Sequence, residues 1–208
     1  MPIVHCVIAR RWTGSAAVGA GLVLLALAGA PPTWRGPDLA ATQRALDARL
    51  TTSPPTVTRP EMGAPFARLA IPKLGQRWAV VEGVDPAEIA DAPGHYPQTA
   101  LPGQVGNFAV AGHRARGLFW DLDRLAPGDE VIVEYGPRTF TYAVTGSRVV
   151  APTAVEVLAP VPGVPSETAN AAALTLTTCE PKWDNDRRLV VTAALGDAND
   201  HPGEVPNT

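Results

Sequence analysis

Residues 173–195 read ALTLTTCEPKWDNDRRLVVTAAL, two apolar runs around a charged insert. Their β-branched residues predict two strands joined as a hairpin. Cys179 stands where the first run ends, and Arg187 and Arg188 open the second. The hairpin return brings an arginine beside the thiol. Since successive side chains of a strand alternate between its faces, at most one of the two arginines faces Cys179.

Short apolar runs continue through the rest of the second half of the chain. With 22 prolines and 19 glycines, the composition favours many turns and short strands over a helical bundle. We predict an all-β domain over residues 63–196. Its other strands are FARLAIPKLG, RWAVVEGVD, NFAVAGHRARG and two runs joined by YGPR. Residues 86–106 are predicted to be a loop with one helical turn, and residues 152–170 a long loop.

The amino terminus has the pattern of a membrane anchor. Residues 12–34 carry no charged side chain, and a spanning helix needs about 20 apolar residues. Arg10 and Arg11 precede the stretch, so residues 1–11 are predicted to be cytoplasmic and the rest extracellular, in a single-pass protein of the cell membrane. The alternative is a signal peptide cleaved after the small residues 28–30, although Pro31 directly after the cut disfavours it.

The segments flanking the predicted domain are polar or rich in proline. Residues 35–62 are interpreted as an extracellular stalk, in which residues 37–50 form a short helix on a solvated tether. Residues 197–208 are predicted to be a disordered tail. The formal net charge is −3 and no basic stripe is present, so a nucleic-acid partner is not expected.

The two cysteines fall on opposite sides of the predicted membrane span. Cys6 precedes it and Cys179 follows it, so they cannot pair within one folded chain. An unpaired thiol in an oxidising compartment is either a buried, inert side chain or a reactive one. The position of Cys179 at the end of an apolar run favours the reactive interpretation.

A cysteine nucleophile that transfers acyl groups needs a proton donor and a group that stabilises the oxyanion. Three histidines follow the predicted span: His95 in a loop, His113 at the end of an apolar run, and His201 in the tail. His113 is the best placed, because it follows a glycine that permits close approach. An arginine at the start of the second hairpin strand could donate two hydrogen bonds to a carbonyl oxygen, or it could belong to a surface salt-bridge cluster.

These motifs together resemble the sortase family. TLTTC, followed by Arg188 nine residues after the cysteine, is similar to the sortase signature TLxTC…R. NFAVAGHR resembles the strand that carries the sortase histidine, and GHYPQTALPGQVGNFAVAGHR as a whole is similar to class E sortases of high-GC Gram-positive bacteria. The likeness runs from about residue 66 to residue 195.

The resemblance implies a closed β-barrel of about eight strands with short helices. It also implies that Cys179 attacks the Thr–Gly carbonyl of a carboxy-terminal LAxTG or LPxTG sorting signal, that Arg188 stabilises the oxyanion, and that His113 exchanges protons with the leaving and incoming amines. Thr178 would line the substrate groove. Substrates would be secreted proteins bearing the signal, and the acceptor an amine of a cell-wall precursor or a pilin.

Two departures and two alternatives accompany this interpretation. The arginine is doubled, and the nine-residue spacing favours Arg188 over Arg187. Glu180 directly follows the cysteine, and a carboxylate facing the thiol would disfavour the thiolate. The alternative functions are a sortase-like binding module and an L,D-transpeptidase, but in the latter family the histidine closely precedes the cysteine. Some sortases bind calcium through loop carboxylates. The 152–170 loop of this chain holds only two, Glu156 and Glu167, so we expect no metal. We also expect no cofactor.

Overall fold

The computed structural model describes residues 38–52 and 59–196. The predicted anchor and tail and Cys6 lie outside these residues. Within the described part, no helix is both long and apolar enough to cross a membrane. The elements are one α-helix, α1 (Leu39–Thr52), and the strands β1 (Pro65–Ile71), β2 (Gln76–Glu82), β3 (Gly94–His95), β4 (Gly106–Ala111), β5 (Glu130–Tyr135), β6 (Arg138–Val150), β7 (Ala172–Glu180) and β8 (Arg187–Leu195), with short 3-10 helices at Pro72–Leu74, Phe119–Arg124 and Val155–Leu158.

The strands close into a barrel in the order β1-β2-β3-β4-β7-β8-β6-β5, and β5 pairs with β1 to complete the ring. Two neighbouring pairs are parallel, β2 with β3 and β4 with β7, and the other pairs are antiparallel. Closure pairs every strand of the barrel with a neighbour on both sides, over at least part of its length. The predicted fold, a closed β-barrel of about eight strands with short helices, is confirmed.

Local sequence explains the tightest hairpin. Tyr135 and Arg138 are register partners, so only Gly136 and Pro137 form the turn between β5 and β6. Gly136 has a φ of 58°, in the left-handed region that glycine adopts without steric cost. The predicted strands on either side of YGPR are therefore joined as the sequence indicates.

Aromatic side chains fill the barrel and fix the loop that follows β4. Phe66 packs edge-on against Phe108 and Tyr135, with ring centroids 6.4 and 5.9 Å apart. The Trp78 indole N–H donates a hydrogen bond to the carbonyl oxygen of Gly117 at 2.7 Å. This bond ties the loop after β4 to the neighbouring part of the barrel.

Helix α1 packs on the barrel, which differs from the predicted solvated tether. Its Leu50 is 4% exposed and belongs to the buried apolar residues. Strand β3 is too short to pair with all of β2, and the free N–H of Ala79 donates instead to the Gln43 side chain at 2.8 Å. Arg68 on β1 contacts Asp47 of the helix. The sequence could not indicate this docking, because it depends on groups that only the folded barrel presents.

Two predicted loops contain short ordered elements. Residues 86–106 include β3, which was not predicted because two residues show no periodicity. In the loop over residues 152–170, the carbonyl oxygens of Val157 and Ala159 accept hydrogen bonds from the buried Asn107 amide at 3.0 and 3.1 Å. The 3-10 helix Val155–Leu158 in this loop is therefore held against the first residues of β4.

Candidate active site

The parallel pairing of β4 and β7 brings their carboxyl ends together. Ala111 is the register partner of Thr177, and the Gly112 N–H donates to the Thr177 carbonyl oxygen at 3.0 Å, which extends the ladder by one residue. His113 lies two residues beyond Ala111, and Cys179 lies two residues beyond Thr177. Neighbouring strands are about 4.8 Å apart, so the two side chains start from the same level on adjacent chains.

His113 and Cys179 line one surface cleft of about 460 Å³. His113 is exposed, and Cys179, a free cysteine, is half-buried. The full lining is His113, Arg114, Ala115, Cys179, Lys182, Trp183, Asp184 and Asn185. The cleft thus lies between the loop after β4 and the β7–β8 hairpin, and both candidate reactive groups have access to solvent.

The hairpin register distinguishes the two arginines. Cys179 is the cross-strand partner of Arg188, and Glu180 is the partner of Arg187. Register partners in an antiparallel pair project to the same face, with Cβ atoms about 5 Å apart. Arg188 therefore shares the face of Cys179, as the nine-residue spacing predicts, whereas Arg187 lies on the opposite face.

The hairpin loop holds the guanidinium of Arg188. Its Nη1 donates to the carbonyl oxygens of Asn185 and Arg187 at 2.7 and 2.9 Å. Asn185 itself lines the cleft. Arg188 is not among the residues that line the cleft, and its guanidinium is held by backbone carbonyl oxygens of the hairpin.

Thr178 lies on the other side of the strand from Cys179. It shares the face of Leu174 and Leu176, which belong to the hydrophobic core, and it is 3% exposed. Alternation along a strand accounts for this placement. Thr178 is therefore not among the residues that line this cleft, and its role in the substrate groove stays a prediction.

The second candidate histidine, His95, is a core residue. It is 1% exposed, and its Nδ1 lies 2.7 Å from Oε2 of the buried Glu82. The rings of Phe66 and Phe108 pack around it, with centroids 5.5 and 5.2 Å away. His95 does not line the cleft, and its contacts account for it as part of the barrel interior.

Sequence reasoning missed a set of charged and aromatic groups beside the cleft. Arg114, directly after His113, contacts Asp123 and Glu180. Lys182 contacts Asp123 and lies over the Trp120 ring, 5.2 Å from its centroid. The available signal was the arginine in the GHR motif, a charged residue at the end of a buried strand. Its partners lie in other segments and share no spacing with it.

A thiol, an imidazole and a guanidinium now stand at one end of the barrel. Groups of these three kinds can act as nucleophile, proton-transfer group and oxyanion donor in acyl transfer through a thioester. The site is built by three strands, since β4 leads to His113, β7 carries Cys179 and β8 carries Arg188.

Comparison with known proteins identifies the family. Residues 69–196 match the Sortase domain family. The chain belongs to the sortase family. Sortase SrtE1 from Streptomyces coelicolor is 36% identical to this sortase over 141 residues, which cover 63% of this chain and 40% of the relative. The chain thus matches only about two fifths of that relative's length.

Solved sortase structures agree in fold and class. Sortase E from Streptomyces avermitilis has 43% sequence identity and a TM-score of 0.58, over 66% of this chain and 91% of that chain. Sortase E1 from Streptomyces coelicolor, with a tripeptide in its active site, has 33% identity and a TM-score of 0.60, over 65% and 90% of the two chains. The resemblance to class E sortases seen in the sequence is confirmed.

Proposed function

We propose that this sortase is a cysteine transpeptidase that cleaves a carboxy-terminal LAxTG or LPxTG sorting signal between Thr and Gly. The observation that carries the proposal is the in-register pairing of β4 with β7, which puts His113 and Cys179 in one cleft. The tripeptide in the active site of the Streptomyces coelicolor relative supports a peptide substrate.

In the first half of the reaction, the Cys179 thiolate attacks the Thr carbonyl carbon and forms a C–S bond. The carbonyl oxygen becomes an oxyanion, which the Arg188 guanidinium stabilises by donating hydrogen bonds. As the C–N bond to Gly breaks, the His113 imidazolium gives its proton to the leaving amine. The products are a thioester on Cys179 and the released glycine fragment.

In the second half, an acceptor amine attacks the thioester carbon. The neutral His113 imidazole takes a proton from the attacking amine, and the C–S bond breaks to regenerate the thiolate. The acceptor would be an amine of a cell-wall precursor or of a pilin, and the donors would be secreted proteins that carry the signal. Arg188 needs to turn from its hairpin carbonyls towards the oxyanion, and as the Cys179 register partner it is close enough to do so.

The proposal includes a location. The uncharged residues 12–34, with Trp12 and Trp34 at their edges and two arginines before them, support a single-pass anchor with a cytoplasmic amino terminus. The catalytic domain would then lie outside the cell membrane, where sorting signals and wall precursors occur.

The test is peptide turnover by the full chain. LAxTG and LPxTG peptides are incubated with an amine acceptor, and mass spectrometry follows the Thr–Gly cleavage and the new amide product. We expect both products from the parent chain and neither from Cys179→Ala or His113→Ala. Failure to cleave either peptide by a folded chain whose thiol still alkylates would reject the transpeptidase and favour a binding module. The preferred peptide identifies the signal class.

A further inference from the structure

Arg114 connects the loop of the candidate histidine to the end of the cysteine strand. It directly follows His113, and only 3% of its side chain is exposed. Its Nη2 lies 3.0 Å from Asp123 Oδ1, and its Nη1 lies 3.3 Å from Glu180 Oε2. Asp123 belongs to the 3-10 helix Phe119–Arg124, and Glu180 is the last residue of β7. One guanidinium therefore contacts two other segments that border the cleft.

Lys182 extends these contacts into a series of alternating charges, Glu180–Arg114–Asp123–Lys182. Its Nζ lies 3.2 Å from Asp123 Oδ2, so the Asp123 carboxylate is shared between Lys182 and Arg114. Lys182 is two residues beyond Glu180, so both ends of the series lie at the end of β7 and the start of the hairpin loop. The two positive and two negative side chains balance in charge, while Nε and Nη1 of Arg114 are buried without a hydrogen-bond partner among the described residues. We call these four residues the Arg114 clamp.

The Arg114 clamp accounts for the acidic residue that directly follows the candidate nucleophile, Glu180. A carboxylate next to a thiol disfavours the thiolate unless a positive charge compensates it. Register places Glu180 on the face opposite Cys179, and its carboxylate is paired with Arg114. The same arginine is the chain neighbour of His113. Compensation of the acidic side chain and placement of the histidine loop therefore depend on one residue.

We propose that Arg114 is a positioning residue, which fixes the His113 loop against the end of the cysteine strand and keeps the Glu180 carboxylate in an ion pair away from the nucleophile. This inference rests on the proposed function, in which Cys179 and His113 act together. Arg114 needs no contact with the substrate for this role.

The surroundings of the clamp define what a substitution changes. The charged and titratable groups near it come from four elements, namely His113 and Arg116 from the loop after β4, Asp121 and Asp123 from the 3-10 helix, Cys179, Glu180, Lys182 and Asp184 from β7 and the hairpin, and Arg187 and Arg188 from β8. Asp121 also contacts Lys182, at 3.6 Å. Among the described residues, Arg114 is the only side chain of the His113 loop that forms an ion pair with Glu180.

The decisive variants are Arg114→Gln and Arg114→Gln/Glu180→Gln in the full chain. Arg114→Gln releases the Glu180 carboxylate from its ion pair and allows it to approach the thiol, so we expect the pH midpoint of Cys179 alkylation by iodoacetamide to rise above that of the parent. We also expect kcat for the sorting peptide to fall by roughly tenfold or more while KM changes less than about threefold. The double variant should return the alkylation midpoint to the parent value but leave kcat low, because the loop is still not held.

Conservative and matched variants separate this role from a general loss of structure. Arg114→Lys keeps the charge and should restore the alkylation midpoint, but one ammonium cannot replace the guanidinium fork, so kcat should recover only in part. Arg116→Gln removes an exposed arginine two residues further along the same loop and should leave both readouts near the parent values. If Arg114→Gln does not fold, the alkylation midpoint of Glu180→Gln is compared with that of the parent chain. Removal of the carboxylate should lower this midpoint, and an unchanged midpoint would contradict the inference.

Alkylation of Cys179 requires no sorting signal, so it tests the role of the Arg114 clamp independently of the proposed function. Absence of peptide turnover by the parent chain would reject the function, and the alkylation midpoints would still report on the clamp. A folded Arg114→Gln variant with the parent midpoint and the parent kcat would overturn the inference. So would a double variant whose midpoint stays as high as that of the single variant.

Discussion

Arg187 and Arg188 are adjacent in the sequence, but the hairpin gives them different surroundings. Arg188 is the register partner of Cys179, and Arg187 is exposed as the partner of Glu180. The spacing in the sequence favoured Arg188 only through family resemblance, because alternation alone allows either residue. Register resolves this choice, since it fixes which residue shares the face of the thiol.

This difference predicts unequal effects of two neighbouring substitutions. Arg188→Ala should lower kcat/KM for the sorting peptide by roughly 100-fold or more, because an oxyanion donor is lost. Arg187→Ala, the matched control, should change it by less than about threefold, since its side chain faces away from Cys179. Peptide cleavage followed by chromatography measures both. Equal losses, or a larger loss for Arg187→Ala, would contradict the assignment.

A single buried residue, Tyr142, predicts how the free energy of unfolding depends on pH. Burial raises the pKa of Tyr142 to about 12, although the hydrogen bond from the Gly103 N–H to its hydroxyl acts in the opposite direction. In the unfolded chain the phenol titrates near 10. Above that pH the unfolded chain loses the proton while the folded chain retains it, so the free energy of unfolding should fall between about pH 10 and 12, by up to about 3 kcal/mol.

The measurement compares the parent chain with Tyr142→Phe by urea unfolding across this range. The variant should be less stable near neutral pH by about 1 kcal/mol, because the Gly103 N–H loses its acceptor. The gap between the two chains should narrow or reverse as the pH rises through the window. Parallel stability curves from pH 9 to pH 12 would show that Tyr142 does not contribute as described.

Among the elements, the strands of the parallel β4–β7 pair could be predicted from the sequence, whereas the docking of helix α1 could not. The apolar runs of β4, β7 and β8 and the residues that end them were predictable, because buried strands leave a clear pattern. Helix α1 was predicted as a helix but not as part of the barrel, since its contacts with Ala79 and Arg68 are tertiary. Strand β3 left no pattern at all, because it consists of two residues.

The docking of α1 predicts a loss of stability from a single truncation. Leu50 is the buried residue of the helix, and Leu50→Ala should lower the free energy of unfolding by about 2 kcal/mol, near the low end for buried leucines. Arg49→Ala, an exposed neighbour, should change it by less than about 0.5 kcal/mol. Urea unfolding of the full chain measures both. Equal effects would indicate that the helix is a solvated tether, as the sequence alone suggested.

For the whole molecule, the closed barrel brings together groups that are distant in the sequence. His113 and Cys179 are separated by 66 positions, and the barrel order places β4 directly beside β7. The motifs in the sequence predicted the fold class, which is confirmed, and indicated His113, Cys179 and Arg188, whose catalytic roles stay a prediction. The sequence did not indicate the inward face of Thr178 or the burial of Arg114, because these depend on register and on partners from other segments.

The proposed reaction passes through a thioester between Cys179 and the sorting signal. The most direct test mixes the full chain with an LAxTG peptide without an acceptor amine, quenches in acid, and maps the adduct by mass spectrometry. We expect the peptide up to Thr to be attached to Cys179, the glycine fragment to be released, and Cys179→Ala to carry no adduct. A folded chain that releases the glycine fragment without an adduct on Cys179, or with one on another residue, would contradict the proposed reaction.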